Sequence, residues 1–133
     1  MEINWRAVIT GFLTALVLGL LAVLLVPATT MSGLVQALPG LVGGFVAGYM
    51  VTGVGRGAVH GGLATVFGGI VLLVAWAVVG TLFAGVVPAI AGVTLGVLVL
   101  LAQAIPGAIA GGIGGWAKGR RTTTRELAGR EVR

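Results

Sequence analysis

Only one charged side chain, Arg56, interrupts the 111 residues between Arg6 and Lys118. Water cannot solvate the surface of such a chain. Charged residues make up 8% of the 133 and hydrophobic ones 58%, against about 25% charged in an average soluble domain. Lipid must therefore cover what polar groups do not. Inside lipid the backbone has no water to bond, which strongly favours helices.

Residues 7–26 are twenty positions without a charge, about 30 Å as a helix and enough to cross the hydrocarbon. The apolar core of a secretory signal peptide is roughly 7–15 residues, so this run is expected to be a retained span ending at Pro27. Residues 28–33 form a short uncharged turn with Thr29, Thr30 and Ser32. Further spans are predicted at about 34–54, 58–83 and 88–117, with Pro88 in the tolerated first turn of the last. That thirty-residue helix exceeds the bilayer and must tilt, kink or project, with Pro106 the expected kink. Residues 1–117 thus form a four-helix transmembrane domain and 118–133 a polar, basic tail. Thr123 followed by Glu126 fits a capping box. A short helix over 124–132 and a disordered segment both stay open for the tail.

The cations set the topology. Arg6 precedes the first span, Arg56 lies in the second connection, and six of the eight cations fall in the last sixteen residues. The first and third connections carry no charge. Four crossings put every basic segment on one side, which the positive-inside rule makes cytoplasmic. The expected protein is multi-pass in the cell membrane, with both termini in the cytoplasm.

A second feature is internal. Residues 34–49 (LVQALPGLVGGFVAGY) recur at 101–116 (LAQAIPGAIAGGIGGW), with seven of sixteen positions identical. Both copies run from outside to inside in the four-span topology, so the repeat is parallel, about an axis along the membrane normal. The fold expected is two parallel-repeat helical hairpins, with helices 2 and 4 as the equivalent inner pair.

The repeat carries small-residue faces. Gly40, Gly43, Gly44, Ala47 and Gly48 share one face of helix 2 by i, i+3, i+4 spacing. Gly107, Ala110, Gly111, Gly114 and Gly115 are the corresponding face of helix 4. Helix 3 has Gly57, Gly61, Thr65 and Gly69, and helix 1 has Gly11, Ala15 and Gly19. In hydrocarbon, burying Leu against Leu gains little, whereas close backbone approach gains dispersion contacts and weak Cα–H···O bonds. These stripes either pack one bundle tightly, as a glycine zipper, or form a subunit interface or line a path.

Polar residues at depth are few. Gln36 and Gln103 are equivalent, each three residues before its proline, Pro39 or Pro106, and on the small-residue face. Each proline leaves a carbonyl four residues back without its helical donor, and a Gln amide could supply one. These groups read as interhelical glue or as the lining of a polar path between Pro-broken helices. Against a path coupled to ions, no charged residue lies inside the membrane. Trp5, Arg6, Arg56, Lys118, Arg120 and Arg121 are the expected anchors to anionic lipid headgroups.

Other chemistry is disfavoured. There is no Cys and no Asp, so neither a disulfide framework nor a Cys-based metal site can form. Gly53–Gly57 lacks the strand–turn–helix context and the Lys-Ser/Thr of a phosphate loop. Ser32 and His60 fall on opposite sides of the membrane, with no Asp to orient the His. His60 is expected at the cytoplasmic interface. No aromatic interleaves the tail cations Lys118, Arg120, Arg121 and Arg125, which argues against nucleic acid. No cofactor and no catalytic activity are expected.

The opening Ile3-Asn4-Trp5-Arg6-Ala7-Val8 with Gly11-Phe12, and the later Gly43-Gly44-Phe45-Val46-Ala47-Gly48-Tyr49 with Gly57-Ala58-Val59-His60-Gly61, resemble a family of small four-helix membrane proteins of unknown function common in haloarchaea. The resemblance implies four helices, a cell-membrane location and an archaeal setting. It carries over no activity and no functional residue.

Two functions fit these features. One is a non-enzymatic structural or accessory subunit, self-associating as a homo-oligomer or joined to a larger membrane complex. The alternative is a small pore or transporter for a neutral solute, with the Gln36 and Gln103 helices lining the path.

Overall fold

The computed structural model describes residues 2–27 and 33–131. Four helices follow one another, α1 (Trp5–Leu25), α2 (Gly33–Tyr49), α3 (Val54–Ala84) and α4 (Val86–Glu131). By length and composition α1, α3 and α4 can each cross a membrane. With 17 residues, α2 rises about 25 Å, the lower limit for a span. The turn expected at 28–33 falls, except for Gly33, outside the described residues.

Each boundary has a local cause. Asn4 caps α1: its side-chain oxygen accepts from the Ala7 N–H at 3.4 Å. Val26 is extended before Pro27, as a residue preceding proline prefers. Helix α2 stops at Tyr49, five residues short of the predicted end, because the chain is drawn across to α4. There the Gly53 N–H bonds the Gly115 carbonyl at 3.2 Å. Gly53 has φ +98°, a conformation that a Cβ would strain, and its carbonyl accepts the Gly57 N–H to start α3. The third connection is shorter than the predicted four residues. Gly85 alone makes it, at φ +90°, ψ 169°, a region essentially reserved for glycine. Pro88 then falls in the first turn of α4, where its missing N–H has no helical partner to lose.

The fourth helix differs most from expectation. It passes Pro106 without ending and continues through the residues expected as a separate tail, 46 residues in all. Thr122, Thr123 and Thr124 bond their hydroxyls back to carbonyls three or four residues earlier. They thus behave as helix-interior residues rather than caps.

Packing directions follow from the closest approaches. Gly11 lies on Gly43 and Ala47, and Gly19 on Pro39, so α1 and α2 form an antiparallel hairpin. Gly57 lies on Gly111 and Gly115, Gly69 on Leu100, and Gly92 on Trp76, so α3 and α4 form another. Gly44 lies on Gly107 and Gly48 on Gly111, so α2 and α4 run parallel. Phe12 meets Phe67 edge-on at 5.4 Å and covers Gly68, which sets α1 beside α3. The expected inner pair of helices 2 and 4 is corrected by this arrangement. Helices α2 and α3 each pack against all three others, while α1 and α4 take outer corners. The glycines explain why: α2 and α3 have small residues on more than one face.

The centre is Gly61. A Cβ placed there would lie 2.5 Å from the Gly107 carbonyl oxygen, 2.7 Å from Gly111 Cα and 2.9 Å from the Gly44 carbonyl oxygen. Three helices meet at that point with no side chain between them. The buried residues are small or modest: Ala7, Val8, Ala47, Val51, Ala64 and Ala89, with His60 the sole buried polar side chain among the described residues. The large hydrophobic side chains face outward, Leu24 at 72%, Leu82 at 75% and Phe83 at 87% exposed. This inversion is stable in oil and not in water.

Gly61→Ala should destabilise the bundle by about 1–3 kcal/mol through overpacking against backbone. Gly55→Ala, where an added Cβ meets nothing within 4 Å, should be neutral or slightly stabilising because Ala is the better helix former. Denaturant titration in detergent micelles, followed by circular dichroism, reads the difference.

Candidate functional site

The small-residue stripes are drawn into contacts between helices of the same chain; those of α1 and α3 run along α2 and α4 respectively, while those of α2 and α4 divide between two neighbours. On α2, Gly43 faces α1, where a Cβ would lie 2.7 Å from the Ala15 methyl. Gly44 and Gly48 face α4, at 2.7 Å from the Gly107 carbonyl oxygen and 2.5 Å from Gly111 Cα. Gly40 looks across at the Gln103 side-chain oxygen at 4.0 Å. The single face expected on α2 is therefore two. On α4, Gly107 and Gly111 sit between α2 and α3, Gly114 packs on Phe45 and Tyr49 of α2, and Gly115 on Gly53 and Gly57 at the start of α3.

Pro39 packs beside Gly19. The Gln36 side chain lies outside the described residues. Gln103 is half-buried in the seam between α2 and α4 and makes no hydrogen bond there. A few residues further on, the seam closes at Gly44–Gly107, with no room for even a methyl group. Pro106 immediately precedes that closure.

The polar chemistry concentrates at one end. Asn4, Met50, Gly53 and Lys118 come from four different parts of the chain, yet hydrogen bonds tie their neighbourhoods together. The Lys118 ammonium donates to the Met50 carbonyl just past the end of α2. Arg121 donates to the Tyr49 hydroxyl at 2.9 Å and lies over the same ring, which stacks in turn on Phe45. Since α2 has no basic residue in its own last turn, these two cations of α4 complement its negative helix end from outside. Trp5, 57% exposed, and Arg6 begin α1 at this end, and Arg56 lies in the first turn of α3. The Arg120 guanidinium sits over the Trp116 ring, 4.1 Å from its centroid. All six residues expected to anchor headgroups are thus on one end of the bundle.

Beneath them is a residue that sequence reasoning left at the surface. His60 is fully buried. Its Nε2 accepts the Asn4 backbone N–H at 2.8 Å. Its Nδ1 lies 2.6 Å from the Arg56 carbonyl and must therefore donate. Both bonds together require the neutral ring protonated on Nδ1. His60 joins the beginning of α1 to the first turns of α3 and leaves neither ring nitrogen unpaired. The signal for it was present: a lone imidazole four residues after Arg56, inside a run of glycines that admits a neighbouring backbone.

The sequence model of a family of unknown function, DUF5518, matches residues 5–117. No curated protein and no solved structure matches the chain.

His60→Ala should cost about 2–4 kcal/mol, from the cavity left and the loss of the Asn4 N–H's partner. Thermal unfolding in micelles measures it, and backbone exchange at Asn4 should rise with it. Lys118→Met should leave global stability nearly unchanged but speed amide exchange in the last turn of α2, whose end loses its cap.

Proposed function

Because the chain belongs to the DUF5518 family of unknown function, membership names no activity, and we propose from its residues that it is a non-enzymatic multi-pass membrane protein acting as a structural or accessory subunit. Four crossings with both termini in the cytoplasm place Arg6, Arg56 and the basic part of α4 against anionic headgroups of the cell membrane. The observation that carries this reading is the Gly44–Gly61–Gly107–Gly111 junction beside an outward belt of large aliphatics. Such a molecule invests its sequence in shape rather than in reactive groups. Self-association or joining a larger complex would use the aliphatic outer faces of α3 and α4, because the glycine faces are already occupied within the chain.

A second reading, a pore or transporter for a neutral solute, is favoured by one observation. An amide without a hydrogen bond in hydrocarbon is costly, and Gln103 is such an amide. The backbone closure at Gly44–Gly107 weighs against an open path in this conformation.

Native cysteine is absent, so single cysteines report topology cleanly. A cysteine at Gly119 should react with a membrane-impermeant maleimide only from the cytoplasmic face, and one at Val86 only from outside. The opposite pattern removes the cytoplasmic placement of the termini, and labelling of both from one side removes the crossing by α4 and with it the four-crossing proposal. Crosslinking in native membranes should trap a homo-oligomer or one discrete partner, and a strictly monomeric species counts against the subunit role. Liposome flux of small neutral solutes that drops with Gln36→Leu plus Gln103→Leu would transfer support to the second reading.

A further inference from the structure

The basic end holds more charge than its own contacts consume. Among the described residues none of its cations is in an ion pair. Lys118 and Arg121 are turned inward onto α2. Arg120 is not. Its guanidinium is stacked over Trp116, which occupies one face of the plane and leaves the in-plane N–H edge free. Arg120 borders an open groove of about 460 Å³ between Gly53–Val54, at the start of α3, and the 115–124 face of α4. Thr123 and Thr124 line the groove, but their hydroxyl protons are bonded to the carbonyls of Gly119 and Arg120. The donors on offer are therefore mainly guanidinium, which suits a group that only accepts. A second groove, lined by Arg120, Arg121, Thr124 and Arg125, continues along the same helix.

Such a group would also steady the helix. At Gly119 an added Cβ meets nothing within 4 Å, so this face of α4 is open. From Gly119 onward α4 carries two glycines, Gly119 and Gly129, and three consecutive threonines, all weak helix formers. Arg121 and Arg125 are like charges at i, i+4, which oppose the helix further.

We propose that the Trp116–Arg120 groove binds the phosphodiester of an anionic phospholipid, with Arg125 supplying additional charge from the adjoining groove. The occupant is a membrane lipid because the groove opens beside Trp116 and Val54, 47% and 54% exposed, which continue into the aliphatic belt. A headgroup can sit on the guanidinium while its chains lie along that belt. The proposal rests on the membrane reading above.

The test uses the full chain with Trp5→Phe and Trp76→Phe, leaving Trp116 as the sole tryptophan. It is reconstituted in phosphatidylcholine vesicles with a minority of phosphatidylglycerol, brominated on the chains of one lipid or the other. Brominated phosphatidylglycerol should quench Trp116 well beyond its mole fraction. R120Q should lower that enrichment about fivefold, the worth of one cation beside an anionic surface, and R120K should restore part of it. Quenching in proportion to mole fraction, or enrichment unaltered in R120Q, overturns the site while leaving the membrane reading intact. No quenching by either brominated lipid overturns the membrane reading itself. Loss of enrichment on adding soluble glycerol phosphate would assign the groove to a free phosphate and remove the lipid. Lipid retention by native mass spectrometry, comparing the otherwise unaltered chain with R120Q, reads the same difference without the tryptophan replacements.

Discussion

Backbone touching backbone at Gly61 is the contact on which the rest of the structure depends. Three helices can share one point only if none brings a side chain to it, and Gly44, Gly61, Gly107 and Gly111 meet that condition. In water the arrangement would be a poor exchange, since each glycine weakens a helix by about 1 kcal/mol relative to Ala. In hydrocarbon an unfolded backbone has nowhere to place its hydrogen bonds, so helices persist and the glycines are free to set distance. Close approach then replaces the hydrophobic effect as the source of cohesion. The outward Leu, Val, Ile and Phe side chains are the other half of the same solution.

The two similar glycine-lined segments do not take equivalent places in the molecule. Residues equivalent in the repeat are 67 positions apart, yet Gly44 meets Gly107 and Gly48 meets Gly111, 63 apart. The two parallel copies are thus staggered by about one helical turn. The stagger lets glycines of one copy fall against carbonyls of the other instead of against themselves. It also gives matching residues different neighbours. Gly43 lies on α1, while α4, at the opposite corner, has α3 as its hairpin partner.

Much of this was legible because hydrophobic runs and charge positions obey one-dimensional rules. Four helices, the short uncharged third connection and the gathering of Arg6, Arg56 and Lys118 at one end can be read from spacing alone. The glycine positions were legible as stripes, but not which neighbour each would face, because a helix with small residues on two sides does not choose its partners locally. The short α2 depended on the Gly53–Gly115 hydrogen bond, which links residues far apart in sequence. The continuation of α4 past Lys118 contradicts local propensity, and composition alone therefore left helix and disorder equally open. His60 was placed at the right end but on the wrong side of the surface: the glycines around it admit a neighbouring backbone, but nothing local says that it is the start of α1 at Asn4.

The two ends of the bundle differ in kind, and that difference bounds what the molecule can do. The end with α2's last turn is bound across helices by His60, Gly53, Lys118 and Arg121. The opposite end of the α3–α4 hairpin turns on Gly85 and packs through Trp76 on Gly92 and Ala89 near Gly80, contacts without a charge. Directional polar bonds confer a fixed geometry, and a fixed geometry is what recognition of a charged partner demands. Apolar packing confers cohesion with little selectivity. The basic end, where Arg120 keeps a free donor edge over Trp116, is therefore where this chain has the means to discriminate among partners.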